Sequence, residues 1–172
     1  KSASERSYDV LLLDGVLDNH FINTLEQKLD NMQFKRVDSE TIDKLIETED
    51  SQPSKLSEED EKLIKPVFEK LVDTSKYTIV FESLSESDMP VLITQPEFMR
   101  RMKDMSQLGG GMPFMGGMGD TYNLVINSNH PLVDKLLKEE DEEKKEHTGK
   151  QLVDLALLSQ NLLKGEALSD FI

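Results

Sequence analysis

The residues with the most chemical character lie between Phe98 and Asp120, FMRRMKDMSQLGGGMPFMGGMGD. Six of the eight methionines fall there, mixed with Phe98, Leu108, Phe114 and six glycines. Methionine is unbranched and polarizable, so a cluster of it moulds to surfaces of varied shape. Glycine keeps the intervening backbone mobile. Met residues taken singly are core fillers as readily as contacts. A packed core, however, rarely needs so many glycines. The expectation is an adaptable contact surface built from Phe98, Met99, Met102, Met105, Met112, Phe114, Met115 and Met118, able to accept many partners.

Other candidate chemistry is weaker. His20, His130 and His147 are scattered without metal-ligand spacing and read as surface or capping residues, so no metal site is expected. No GxSxG nucleophile turn is present, and the glycines of GGGMPFMGGMGD lack the GK[ST] ending of a phosphate loop. Asp14 and Asp18 would suit a phosphorylatable carboxylate only at the C-terminal edge of a complete parallel sheet, which one strand–helix–strand unit does not supply. The acidic run KEEDEEKKEH (138–147) lacks the glycine turn and ligand alternation of a calcium loop and reads as a solvated helix end or loop. No catalytic residue is expected in this chain.

These residues need elements to position them. Tyr8 to Leu13 reads as a buried strand ending at Asp14-Gly15. Leu17, Phe21, Leu25 and Leu29 recur every four residues on one helix face, with Asp14 or Asp18 near its start. Phe34 to Val37 reads as a second strand. Together these form a partial α/β unit completing a larger layer. Thr41 to Glu47 suggests a short helix, and the polar, Pro53-containing stretch from Thr48 to Ser57 is the boundary candidate. Ser57, followed by Glu58, Glu59 and Asp60, is an N-cap with acids in the first turn. The helix it opens carries Leu63, Ile64, Val67, Phe68 and Leu71 on one side, and Pro66 should kink or divide it. Lys76–Glu82, Met89–Thr94 and Thr121–Asn127 read as three strands of one small sheet, the first two joined by a hairpin-length turn and Pro90 marking an edge.

Thr94-Gln95-Pro96-Glu97 is a capping box opening a helix to about Gln107. Its apolar stripe is Phe98, Met102 and Met105, widened by Met99. Asn129-His130-Pro131 starts another helix. A long amphipathic helix is expected from Thr148 to Gly165, with Gly165 as its C′ residue. Its broad apolar face comprises Leu152, Leu155, Ala156, Leu158, Ser159, Leu162 and Leu163. That face exceeds what a small sheet covers, which suggests a helix-bundle interface with another chain. The fold class is therefore α+β: a small three-stranded sheet with packed helices and a C-terminal helix-bundle dimerisation element, preceded by the partial α/β unit.

Composition narrows the partners. The chain has 172 residues, 37% hydrophobic and 31% charged, with a net charge of −14. That charge repels a phosphate backbone and anionic membrane surfaces, so no nucleic acid and no membrane are expected as partners. No apolar run approaches the ~20 residues of a membrane span. There is no cysteine, which fits a reducing, cytoplasmic location. The chain lacks an initiator Met and reads as an excised fragment.

The ordered strings LLLDGVLDNHFINTL, FKRVD, VLITQPEFMRRMKDMSQLGGG, NLVINSNHPLV and QLVDLALLSQNLLKGEALSDFI resemble the bacterial heat-shock protein 90 chaperones, the HtpG family. The resemblance covers essentially the whole chain. It implies that residues 1–48 form the end of a middle domain and residues 53–172 a C-terminal dimerisation domain. It implies a homodimer in an ATP-dependent chaperone whose ATP and magnesium site lies in an N-terminal domain outside this chain, so that the fragment itself is no enzyme and needs no cofactor. The pairing helices correspond to Lys150–Lys164 and Glu166–Ile172, adding Leu168 and Phe171 to the interface; lost final turns would weaken the pairing. The family's client-contact helix falls on Phe98, Met102 and Met105, implying unfolded or partly folded proteins as partners. The client role of Met112, Phe114, Met115 and Met118 rests on their chemistry, because the match loosens past Met105. The alternative is a methionine-rich peptide-binding module unrelated to that family, as in the signal-recognition particle, but such a module also binds RNA, which the charge opposes.

Overall fold

A computed structural model describes residues 9–15, 17–37, 41, 53–96, 99 and 121–172. In chain order its elements are α1 (Asp18–Lys28), α2 (Glu58–Glu69), β1 (Tyr77–Glu82), β2 (Val91–Thr94), β3 (Tyr122–Asn127), α3 (Pro131–Lys138), α4 (Glu142–Ser159) and α5 (Glu166–Phe171). The α+β reading holds, with one small mixed sheet.

The sheet order is β1-β3-β2. β3 runs parallel to β1, with Tyr77 opposite Tyr122 and Glu82 opposite Asn127. It runs antiparallel to β2, with Val91 opposite Ile126. The expected hairpin between the first two strands is therefore corrected: β3 lies between them, and residues 83–90 cross from one edge to the other. β3 earns the centre because Leu124, Val125, Ile126 and Asn127 are all buried, as a strand flanked on both sides requires. Pro90 precedes an edge strand, as its missing N–H demands. The Tyr77 and Tyr122 rings stack across β1 and β3 at 5.5 Å.

α2 begins at the expected cap. The Ser57 hydroxyl accepts the Asp60 N–H at 3.1 Å, and the Asp60 carboxylate accepts the Ser57 N–H at 3.0 Å. Pro66 lies inside one continuous helix rather than dividing it. Ile64 and Phe68 are buried with Leu71 packed beside them, whereas Leu63 is 70% exposed. Leu63 sits about 100° round the helix from Ile64, off the line that faces the sheet.

The charge run is also reorganised. α3 ends at Lys138, residues 139–141 are extended or turning, and Asp141 caps α4 by accepting the Glu143 and Lys144 N–H groups. α4 thus starts at Glu142, earlier than Thr148. It also ends earlier: Asn161 takes a left-handed φ of 56°, Leu162 N–H donates to Leu157 O at 2.9 Å, and Asn161 N–H to Leu158 O at 3.0 Å. This pattern is a Schellman termination, so Asn161 does the work expected of Gly165. Gly165 has a φ of 62° and instead precedes α5.

The core joins Ile64 and Phe68 of α2, Ile79 of β1, Val91 and Ile93 of β2, Leu124 and Ile126 of β3, Val133 and Leu136 of α3, and Leu152, Val153 and Ala156 of α4. α4 packs on β2 and on α2. A Cβ at Gly149 would meet Leu71 Cδ1 at 3.1 Å and Val67 Cγ1 at 3.3 Å, so this glycine permits the close approach of α2 and α4.

N-terminal to the sheet, α1 forms where the four-residue period placed it, and Asp18 accepts the Gly15 N–H at 2.6 Å. The two flanking strands are corrected. Residues 9–13 and 34–37 form no strand, and Leu11 and Leu12 are exposed, Leu12 by 91%. A strand is defined by a ladder of N–H and C=O bonds to a neighbour, and the ladders among the described residues join β1, β2 and β3. Phe34 N–H instead donates to Glu26 Oε1 at 2.8 Å. The helices expected over Thr41–Glu47 and from Pro96 to about Gln107 lie, apart from Thr41, Pro96 and Met99, outside the described residues.

Candidate functional site

The C-terminal helices form the best-defined candidate surface. α4 has two kinds of leucine. Leu152, Val153 and Ala156 face inward and are buried. Leu155 is 45% exposed and Leu158 38% exposed. The spacing of three places these two side chains as neighbours on the outer face. Ser159 is exposed and its hydroxyl donates to Ala156 O at 2.7 Å, a back-bond within the helix. After the Schellman turn, Leu162 packs partly against the core and Leu163 is buried. α5 then returns against α4, with Leu168 and Phe171 half-buried and Ile172 exposed.

The nine residues expected at a dimer interface therefore divide. Leu152, Ala156 and Leu163 anchor α4 and its exit to their own domain. Leu155, Leu158 and Ser159 face outward, and Leu162, Leu168 and Phe171 sit between. Among the contact residues, Met99 is described: it is half-buried, and its N–H donates to Pro96 O at 3.0 Å, the first turn expected after Pro96. Phe98, Met102, Met105, Met112, Phe114, Met115 and Met118 lie outside the described residues.

One cluster escaped the sequence reading. Asn127, Ser128 and Asn129 are all buried polar residues at the end of β3. Asn127 Nδ2–H donates to Ser85 O at 2.8 Å, and Asn129 Nδ2–H to Leu84 O at 3.1 Å. Asn129 Oδ1 accepts the Lys55 N–H at 2.8 Å, and the Ser128 N–H reaches Glu82 O at 2.9 Å. Three separate stretches of chain are pinned here, and the clue was three polar residues directly after an apolar strand. Gln95 is buried too, and its Nε2 has no hydrogen-bond partner among the described residues. His130 is the expected capping histidine: its Nδ1 accepts the Leu132 N–H at 3.1 Å.

Among the described residues no helix is long and apolar enough to cross a membrane. No group of three or more His, Cys, Asp or Glu there converges as a metal site.

The family model described as Hsp90 protein matches residues 1–170. The chain belongs to the Hsp90 family. Relatives within this Hsp90 family include the chaperone protein HtpG of Porphyromonas gingivalis, 47% identical over 145 residues, covering 83% of this chain and 21% of that protein. HtpG of Bacteroides fragilis is 32% identical over 239 residues, covering all of this chain and 35% of the relative. HtpG of Treponema denticola is 28% identical over 164 residues, covering 91% and 24%. The chain thus spans about a third or less of the length of these curated Hsp90 relatives. The match gives no support to an unrelated methionine-rich peptide module.

Proposed function

We propose that this chain is the dimerisation and client-contact portion of a molecular chaperone that assists protein folding under stress. The observation that carries the reading is the outward pair Leu155 and Leu158 on a helix anchored by Leu152, Val153 and Ala156, in a chain of the Hsp90 family. A helix fixed by one apolar face that still presents leucines on another is suited to self-complementary pairing, because the same patch on a second copy removes both from water. Leu162, Leu168 and Phe171 extend the patch, and α5 supplies the second helix from each copy.

In this reading residues 53–172 are the dimerisation domain and residues 1–48 the end of the preceding middle domain. Nucleotide chemistry belongs to parts of the longer protein outside this chain. Client contact falls to Phe98, Met99, Met102 and Met105 and the methionines and Phe114 that follow. Polarizable thioethers on a glycine-rich segment give weak, shape-tolerant contact, and two copies in one dimer make that contact bivalent. Binding proceeds without a bond being made or broken.

Sedimentation equilibrium of the chain across concentration tests the proposal. A mass near twice 19.6 kDa is expected. A monomer that persists in both this chain and one extended beyond Ile172 would overturn the pairing.

A further inference from the structure

α3 is held at its start by an imidazole rather than by a hydroxyl or carboxylate. His130 Nδ1 accepts the Leu132 N–H at 3.1 Å, and the His130 carbonyl accepts the Val133 N–H at 3.0 Å and the Asp134 N–H at 3.3 Å. His130 N–H in turn donates to Asn127 O at 3.1 Å, joining the cap to the buried polar corner. A ring nitrogen accepts a hydrogen bond only while it carries no proton. An imidazolium at this position would aim an N–H at the N–H of Leu132. It would also place a positive charge at the positive end of the helix dipole.

The surroundings oppose the charged form on balance. Burial pushes the His130 imidazole below its ordinary value, while the Glu86 carboxylate pulls the other way. Glu86, from the 83–90 crossing, is itself paired with the Lys55 ammonium. On α3, the Asp134 carboxylate is paired with Lys138 at 2.8 Å. So the carboxylate that acts on the ring is Glu86, with Lys55 as its own partner, while Asp134, whose N–H meets the His130 carbonyl, has Lys138.

We propose that His130 is a pH-responsive cap: its neutral imidazole holds the first turn of α3 to the Asn127–Asn129 corner, and protonation releases that turn. The released imidazolium then competes with Lys55 for Glu86. That competition slackens the tie between the segment before α2 and the crossing. The proposal stands independently of the chaperone reading.

Its sign follows from linkage. The imidazole binds a proton less readily in the folded chain than in the unfolded chain, so the cap's contribution is full above the ordinary value of 6.5 and is lost as pH falls below it. The test compares the chain with His130→Asn, whose side-chain oxygen caps without titrating. Urea unfolding is followed from about pH 8 to about pH 5, with exchange of the Leu132 amide corrected for its intrinsic pH dependence. The unfolding constant of the unsubstituted chain is expected to rise about fivefold more than that of His130→Asn across this range, the size of a lost cap. His20 and His147 are present in both proteins and cancel. The same pH profile in both proteins would overturn the proposal. Should His130→Asn fail to fold, ring nitrogen chemical shifts of the unsubstituted chain still decide. A neutral ring protonated on Nε2 is expected at neutral pH, and a proton on Nδ1 would overturn it.

Discussion

Asn129 Oδ1 takes the backbone N–H of Lys55 at 2.8 Å, across 74 residues of sequence. With its Nδ2–H on Leu84 O, this one amide closes the entry to α2, the exit of β1 and the start of α3 around a single buried point. Removing it strands a donor and an acceptor together. Asn129→Ala is expected to cost about 2–4 kcal/mol in urea unfolding, more than an ordinary hydrogen bond, because both former partners lose their compensation. A change no larger than that of a surface substitution would show that water replaces the amide.

Gly149 tests the packing of α2 against α4. Alanine gains helix propensity, and its Cβ meets side-chain ends, those of Leu71 and Val67 closely and that of Leu136 at an ordinary 3.9 Å, which can give by a few tenths of an ångström. Gly149→Ala should therefore stay within about 1 kcal/mol of the parent. Gly149→Leu has no such escape and should cost about 1–3 kcal/mol through overpacking. Thermal unfolding of both variants reads the difference.

On α4, burial separates folding from association. Leu155→Glu with Leu158→Glu should leave the circular dichroism of the monomer intact, because both side chains already meet solvent. It should abolish pairing, because the dimer would bury four carboxylates. Val153→Ala should instead lower monomer stability by about 1–2 kcal/mol, as expected for a buried side chain made smaller. A persistent dimer of the double variant in sedimentation would place the interface elsewhere.

For the client surface, Phe98→Asp with Met102→Asp should preserve the dimer and weaken binding of a permanently unfolded protein. The charges remove apolar character from the stripe and leave the sequences of α4 and α5 unchanged. Fluorescence anisotropy of a labelled unfolded client measures this, and unchanged affinity would take the stripe out of the site.

The start of α2 carries a second pH dependence, of the same sign as that at His130 but in a more acid range. The Ser57 hydroxyl and N–H both donate to the Asp60 carboxylate and hold it below the usual carboxylate range. Its contribution is present above the ordinary value of 3.8 and is lost as pH falls through the lower folded value. Asp60→Asn should flatten that acid limb of the stability profile while leaving the His130 limb in place, as urea midpoints from neutral to strongly acid pH would reveal.

Local sequence specifies what depends on neighbours along the chain. The N-cap at Ser57, the helix start at Asn129-His130-Pro131, the four-residue period of α1 and three short β-branched or aromatic runs all follow from local sterics and hydrogen bonding. Family membership was legible as well, because the order of its strings is a property of the chain. The remaining features depend on partners distant in sequence. β3 lies between β1 and β2 with four consecutive buried residues, Leu124 to Asn127, and no local pattern records which strand sits in the middle. Residues 9–13 looked like a strand because apolar composition reports a wish for burial, not the presence of a ladder partner. Leu152 and Leu155 are the same residue type on the same helix, yet one closes the core and the other meets solvent. The helical period shows that they point differently, and only the position of α2 and the sheet shows which direction is inward.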